Sequence, residues 1–180
     1  EYNMSDSLLD LVKLASPTDG ALILSSTRIQ QNPSKHFNSL FAIDSQGKVI
    51  DYYDKFHLVP LGEYIPFRII LPSFVNKITP GENDYSPGKE IRPLKAKYPF
   101  LPSICYDATF PENVSGFYSW ILNVTNDGWF GTSIGPHQHI ALAQFRSIEQ
   151  GVPMARAALT GVSAIIDSFG SITSSIPLLK

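Results

Sequence analysis

The stretch that most constrains this chain is Leu101-Pro102-Ser103-Ile104-Cys105-Tyr106-Asp107, continued by Ala108-Thr109-Phe110-Pro111-Glu112. A short apolar run carries the only cysteine of the 180 residues to its end, and two polar side chains follow at once. A run of this length predicts a buried strand, and Pro111 predicts the first turn of a helix after it. A strand that turns sharply into a helix lifts a thiol out of the core and aims backbone N–H groups at a developing anion. A free cysteine is more often a small core hydrophobe, so the nucleophile reading needs partners elsewhere in the chain.

The length suits one domain with a sizeable core. Lysine and arginine number 14 against 16 aspartates and glutamates, a net charge of -2, which leaves no electrostatic footprint for nucleic acid. One cysteine excludes an internal disulfide. No run reaches the roughly 20 apolar residues that span a bilayer, and no signal peptide is visible, so a soluble globular piece is expected.

Leu8, Leu9, Leu11, Val12 and Leu14 fall at helical spacing, with Ser5 or Asp6 as N-cap. Ala21–Leu24 reads as a buried strand, followed by a polar loop around Gln30–Ser34. Phe37–Ile43 and Lys48–Tyr53 flank Asp44-Ser45-Gln46-Gly47, a hairpin signal. The layout recurs as Ser163–Ile166, Asp167-Ser168-Phe169-Gly170 and Ser171–Ser174, which suggests two related halves. Between the hairpins, Pro60–Tyr98 is rich in proline and glycine and lacks clear periodicity, as functional loops do. Trp120–Val124 predicts another buried strand, Pro136–Gln150 a helix ended by Gly151, and Val152–Ala158 and Gly161–Ile166 further strands. The class is α/β or α+β.

Tyr52-Tyr53-Asp54-Lys55-Phe56-His57-Leu58-Val59-Pro60-Leu61-Gly62-Glu63-Tyr64-Ile65-Pro66 is the second unusual stretch. It leaves the first hairpin and sets a lysine, a histidine and a glutamate in a proline-framed loop. Such charges are ordinarily solvated. An ammonium fixed at a strand end beside Cys105 would instead favour the thiolate and stabilise a tetrahedral oxyanion.

Together with Ile104-Cys105-Tyr106-Asp107 and Thr125-Asn126-Asp127-Gly128-Trp129-Phe130-Gly131, this stretch resembles the nitrilase-like domain of bacterial apolipoprotein N-acyltransferases. Gln138-His139 and the run Arg146-x-x-Glu149-x-Gly151-x-Pro153-x-x-Arg156 resemble the family's segment downstream of the cysteine. The resemblance covers nearly the whole chain. It implies an α+β fold, the four-layer α-β-β-α sandwich of the nitrilase superfamily.

The resemblance also implies residue roles. Cys105 would be the nucleophile that becomes a thioester, and Lys55 would stabilise the tetrahedral intermediate. Glu63 would be the supporting loop glutamate, and Tyr106 the residue after the nucleophile. Asp107 stands where the family has a glutamate, keeping the charge with a shorter reach. Ala158 and Leu159 replace more polar residues. Phe67 to Val75, including Phe74, and the Trp129-Phe130 pair become candidates for contacting lipid and guarding the thioester from water.

The implied partners are a phospholipid acyl donor, a lipoprotein N-terminus as acceptor, and a membrane reached through helices outside this chain, with no cofactor. The implied location is the periplasmic side of the bacterial inner membrane. Residues 1–180 are expected to be one nitrilase-like domain lacking its N-terminal strand with the base glutamate, its C-terminal end and the membrane helices. Glu1 is not assigned as the base, and the piece itself is expected to be poorly active.

Three alternatives compete. A soluble carbon–nitrogen hydrolase of the same superfamily shares the lysine–cysteine pair and uses water as its second nucleophile. A metal site from His137, His139 and Asp127 is disfavoured, because His-x-His faces one side only on a strand and this stretch reads as a helix start. A non-catalytic binding module would leave Cys105 with ordinary thiol reactivity.

Overall fold

The computed structural model describes residues 20–68, 77–78 and 83–178. Among the described residues, eight strands fall into two sheets. β1 (Leu22–Gln30), β2 (Lys35–Ile43) and β3 (Val49–Asp54) form an antiparallel sheet in that order. β4 (Phe100–Ile104), β5 (Trp120–Asn126), β6 (Met154–Leu159), β7 (Ser163–Ile166) and β8 (Ile172–Ile176) form the second. Within it β4, β5 and β6 run parallel, and β6 to β8 antiparallel. The single long helix among the described residues, α1, is Gly135–Gln150, with Pro136 in its first turn and Gly151 left-handed at its end.

Period-two alternation decides which face each strand buries where. Phe100, Ile104 and Leu122 point toward the first sheet and pack with Leu40 and Tyr53. Leu101, Ile121 and Met154 point the other way, against Ile140 and Ala143 of α1. Sheet, sheet and helix therefore stack as three layers of an α+β sandwich. The amphipathic run Leu8–Leu14 lies outside the described residues. The outer face of the first sheet carries its own cluster around Phe41 and Ile43.

Pro111 does not begin a helix, contrary to the sequence reading. The turn begins at Cys105 itself, as a 3₁₀ segment over Cys105–Thr109, because Asp107 reaches back to accept the Ile104 N–H at 2.9 Å. β1 also runs on to Gln30. Its polar second half is exposed and is held by ladder pairing with β2 down to Gln30–Lys35.

Candidate active site

Parallel strands that end together leave a crevice beyond their carboxyl ends, where ligands are commonly bound. Here a cleft of about 580 Å³ opens at that position. Ile104 and Cys105, then Val124 to Asn126, then Leu159 line it from the ends of β4, β5 and β6. The opposite wall comes from Lys55, Val59, Pro60, Gly62 and Glu63, which leave β3 as a loop.

Cys105 is half-buried in this cleft, with φ 49°. That left-handed conformation is unfavourable for a residue with a Cβ and turns the chain sharply enough to present the thiol. Strain of this kind gathers at functional sites. Leu61 and Thr160, at or beside the cleft wall, are left-handed too, at φ 62° and 56°.

Lys55 is 1% exposed, which for an ammonium demands a paired anion. Its Nζ donates to Glu63 Oε2 at 2.6 Å. Glu63 also accepts from the Val59 N–H at 2.8 Å and from Asn38 Nδ2 at 2.9 Å, so both carboxylate oxygens are held. The Lys55 backbone is bracketed as well, its N–H donating to Asn38 and its carbonyl accepting from Gly88. Only glycine fits at 88, because a Cβ there would sit 2.1 Å from the Asp54 carbonyl oxygen. The lysine therefore enters the cleft as a fixed, compensated charge.

Asp107 does not enter the cleft. It is buried and accepts from Tyr53 Oη at 3.0 Å, the Ile104 N–H and the His57 N–H at 2.9 Å, tying the lysine loop to the cysteine turn. Burial pushes its carboxyl above the usual range, against these bonds and the Lys55 charge. Burial likewise raises the Tyr53 hydroxyl, with the Asp107 charge adding to it. His57 reinforces the join, stacked on Phe110 and 2.5 Å from Glu112.

The remaining sequence candidates divide. Trp129 is exposed and lines the cleft with Leu159, which makes that part of the mouth apolar. Phe130 turns its ring toward His139 instead. Tyr106 packs edge-on against Phe110. Phe67 is exposed and left-handed and does not line the cleft, and Phe74 lies outside the described residues. His137 is exposed, while His139 and Asp127 are bound to one another at 2.8 Å. Arg156 also binds Asp127, at 2.7 Å, so a cation already occupies the position the metal reading required. Among the described residues no group of side chains is set to hold a metal ion.

Sequence reasoning missed the row behind the turn. Parallel pairing aligns Ser103, Asn123 and Arg156 across β4, β5 and β6, one repeat beyond the apolar Leu101, Ile121 and Met154. Asn123 Nδ2 donates to Ser103 Oγ at 3.0 Å, and the Arg156 guanidinium donates to Asn123 Oδ1.

The profile of the family described as carbon-nitrogen hydrolase matches residues 4–178. The chain belongs to that family. It is 38% identical over 186 residues to the apolipoprotein N-acyltransferase of Rhodopseudomonas palustris, covering 97% of this chain and 34% of the relative. With the Geobacter metallireducens enzyme of the same name it shares 43% over 153 residues, 81% of this chain and 29% of that protein. The chain thus spans about a third of the length of these curated relatives.

Among solved structures, Saccharomyces cerevisiae Nit3, of the nitrilase superfamily, superposes with a TM-score of 0.71 at 22% identity. That match covers 99% of this chain and 63% of Nit3. A carbon-nitrogen hydrolase from Helicobacter pylori gives 0.67 at 13%, over 94% and 61%. These two likenesses establish the fold as the nitrilase-type α+β sandwich, of which the described residues form three layers.

Proposed function

We propose that this chain is a single catalytic domain that moves an acyl chain from a phospholipid to the N-terminal amine of a lipoprotein. The observation that carries the reading is one cleft holding a strained cysteine and a buried lysine already paired to a glutamate. The kinship with named apolipoprotein N-acyltransferases supports the choice of substrates. In this reading Cys105 is the nucleophile, and its thiolate attacks the ester carbonyl. The C–S bond forms, the C–O bond breaks, and the lysophospholipid leaves as an alcohol, taking the proton that the Cys105 thiol gave up. Lys55 stabilises the oxyanion, because its ammonium is desolvated and needs no reorganisation during the step. Glu63 holds that ammonium in place, and Asp107 holds the turn. The amine then forms the C–N bond as the C–S bond breaks, and the proton it loses returns to the departing Cys105 thiolate, as in other covalent two-step transfers.

Trp129 and Leu159 flank the acyl chain at the mouth and shield the thioester from water. No helix among the described residues is long and apolar enough to cross a membrane. In the proposal, other parts of the whole protein bring this domain to the periplasmic face of the inner membrane.

The test is mass spectrometry after incubation with a phospholipid carrying a labelled acyl chain, with Cys105→Ala as control. A labelled adduct on Cys105 that a small amine discharges and water does not is the expected result. Discharge by water alone would make the protein an amidase-type hydrolase. No adduct from this chain or from one extended upstream would overturn the nucleophile assignment.

A further inference from the structure

His139 stands at the start of the second turn of α1, 5% exposed, and its two ring nitrogens face different partners. Nε2 lies 3.1 Å from the carbonyl oxygen of Cys105, and Nδ1 lies 2.8 Å from Asp127 Oδ1. A carbonyl oxygen only accepts, so Nε2 carries a hydrogen. Asp127 is an acceptor too. Burial acts to raise its carboxyl, but the His139 bond and the Arg156 charge outweigh burial and hold it below the usual range. Nδ1 faces that carboxylate. Arg156 Nη2, 3.3 Å from Nδ1, is a neighbouring donor that shares the same carboxylate.

Every element around this ring contributes to holding it. Thr125 Oγ1 donates to Asp127 Oδ1 at 3.0 Å, Arg156 Nε donates to the Val162 carbonyl, and the Phe130 ring covers the imidazole edge. Gly161 leaves room for the carboxylate, since a Cβ there would meet Asp127 Oδ2 at 2.4 Å. Lys55 and Glu63 line the same cleft as Cys105, as a compensated pair.

We propose that His139 is a positioning residue for the nucleophile: its Nε2–H holds the Cys105 carbonyl, while Asp127 and Arg156 fix the ring. The physical reason is the left-handed φ of Cys105. A conformation that a side-chain-bearing residue avoids persists only where its surroundings over-determine it. The carbonyl of that residue is the atom whose direction a relaxed φ and ψ would change, and His139 grips that atom. The proposal rests on Cys105 being the nucleophile.

The experiment follows alkylation of Cys105 by iodoacetamide across pH, in native protein and in His139→Gln and His139→Asn. The single cysteine makes the readout unambiguous. A glutamine amide reaches to the Nε2 position and can still donate to the Cys105 carbonyl. An asparagine amide reaches Asp127 and stops short of it. Both variants are checked for native melting.

The expected result is a loss on the order of tenfold to a hundredfold in His139→Asn and near-native rates in His139→Gln, as a misplaced nucleophile entails. Equal rates in the two folded variants, high or low, overturn the proposal. Native Cys105 no more reactive than a free model thiol would overturn the nucleophile reading and this inference with it. Should a variant fail to fold, the ¹⁵N spectrum of histidine-labelled native protein decides. His139 is expected to show a hydrogen on Nε2, and an unprotonated Nε2 refutes the proposal.

Discussion

Asp107 and Asp127 are both buried beside the Cys105 turn, yet each is held by a different kind of partner. Asp107 receives three neutral donors, two of them backbone N–H groups, and its carboxyl is pushed up by burial. Asp127 receives the charged Arg156, with His139 and Thr125 beside it, and its carboxyl is held down. The first arrangement joins two pieces of backbone, the lysine loop and the cysteine turn. The second sets a charged cluster beneath the turn, where a lost cation leaves a carboxylate stranded. The two therefore fail in different ways.

The largest effect is expected at Arg156. Its guanidinium is fully buried and binds Asp127, Asn123 and the Val162 carbonyl. Arg156→Met keeps most of the volume but leaves the Asp127 carboxylate in the core with one cation fewer. Breaking a buried pair in this way costs about 3–5 kcal/mol, to be read from urea denaturation. Asp107→Ala strands three donors but no charge, and about 2–3 kcal/mol is expected, since each unsatisfied buried donor costs about 1–3 and some relax to other partners. If Asp107→Ala proved the more destabilising, the charged cluster would matter less than the backbone join.

The contrast also separates what the sequence reveals from what it does not. Both hairpins were legible because their turns are made locally. Asp44 Oδ1 accepts from the Gln46 and Lys48 N–H groups, and Asp167 Oδ1 from Phe169 and Ser171, with Gly47 and Gly170 both at φ 82°. Cys105, Lys55 and Glu63 were legible through family motifs, and all three line the cleft. The Asp127–His139–Arg156 cluster was not. It depends on the register that sets β5 beside β6 and on where α1 starts, neither of which leaves a mark in the local pattern. Asp127 and His139, noticed together with His137, raised a metal reading because the arginine that binds Asp127 is 29 residues away in sequence. The turn at Cys105 was misjudged for a similar reason: its 3₁₀ start depends on Asp107 binding back to Ile104 and across to His57.

Acid should pull the two sites in opposite directions. For Asp127 the folded carboxyl titrates below its ordinary 3.8, so its contribution is present above that pH and is lost as pH falls through the folded value. For Asp107 the folded carboxyl titrates above 3.8. Its protonated form is the one folding favours, and the cost appears as pH rises through 3.8 toward the folded value. Melting temperature against pH should therefore fall less steeply below about pH 4 in Asp127→Asn than in native protein. In Asp107→Asn the acid limb should fall more steeply than in native protein. The same slope in all three proteins would mean that neither aspartate shapes the acid limb.

The smallest expected effect is at Tyr53, and it tests whether the neutral side is a set of separable bonds. Tyr53 Oη donates to Asp107 Oδ2 and accepts from the Phe56 N–H at 3.1 Å. Tyr53→Phe removes both bonds and keeps the ring, which is buried among Leu40, Leu94 and Phe100. Asp107 retains its two backbone donors, so no charge is stranded, and about 1 kcal/mol is expected from urea denaturation. A double-mutant cycle with Asp107→Ala should recover about that amount as coupling, because the hydroxyl acts through the carboxylate. Coupling near zero would mean that the hydroxyl serves only the Phe56 N–H. A cost approaching that of Arg156→Met would mean that the neutral side is as cooperative as the charged one, and the contrast between the two aspartates would then be one of chemistry without a difference in consequence.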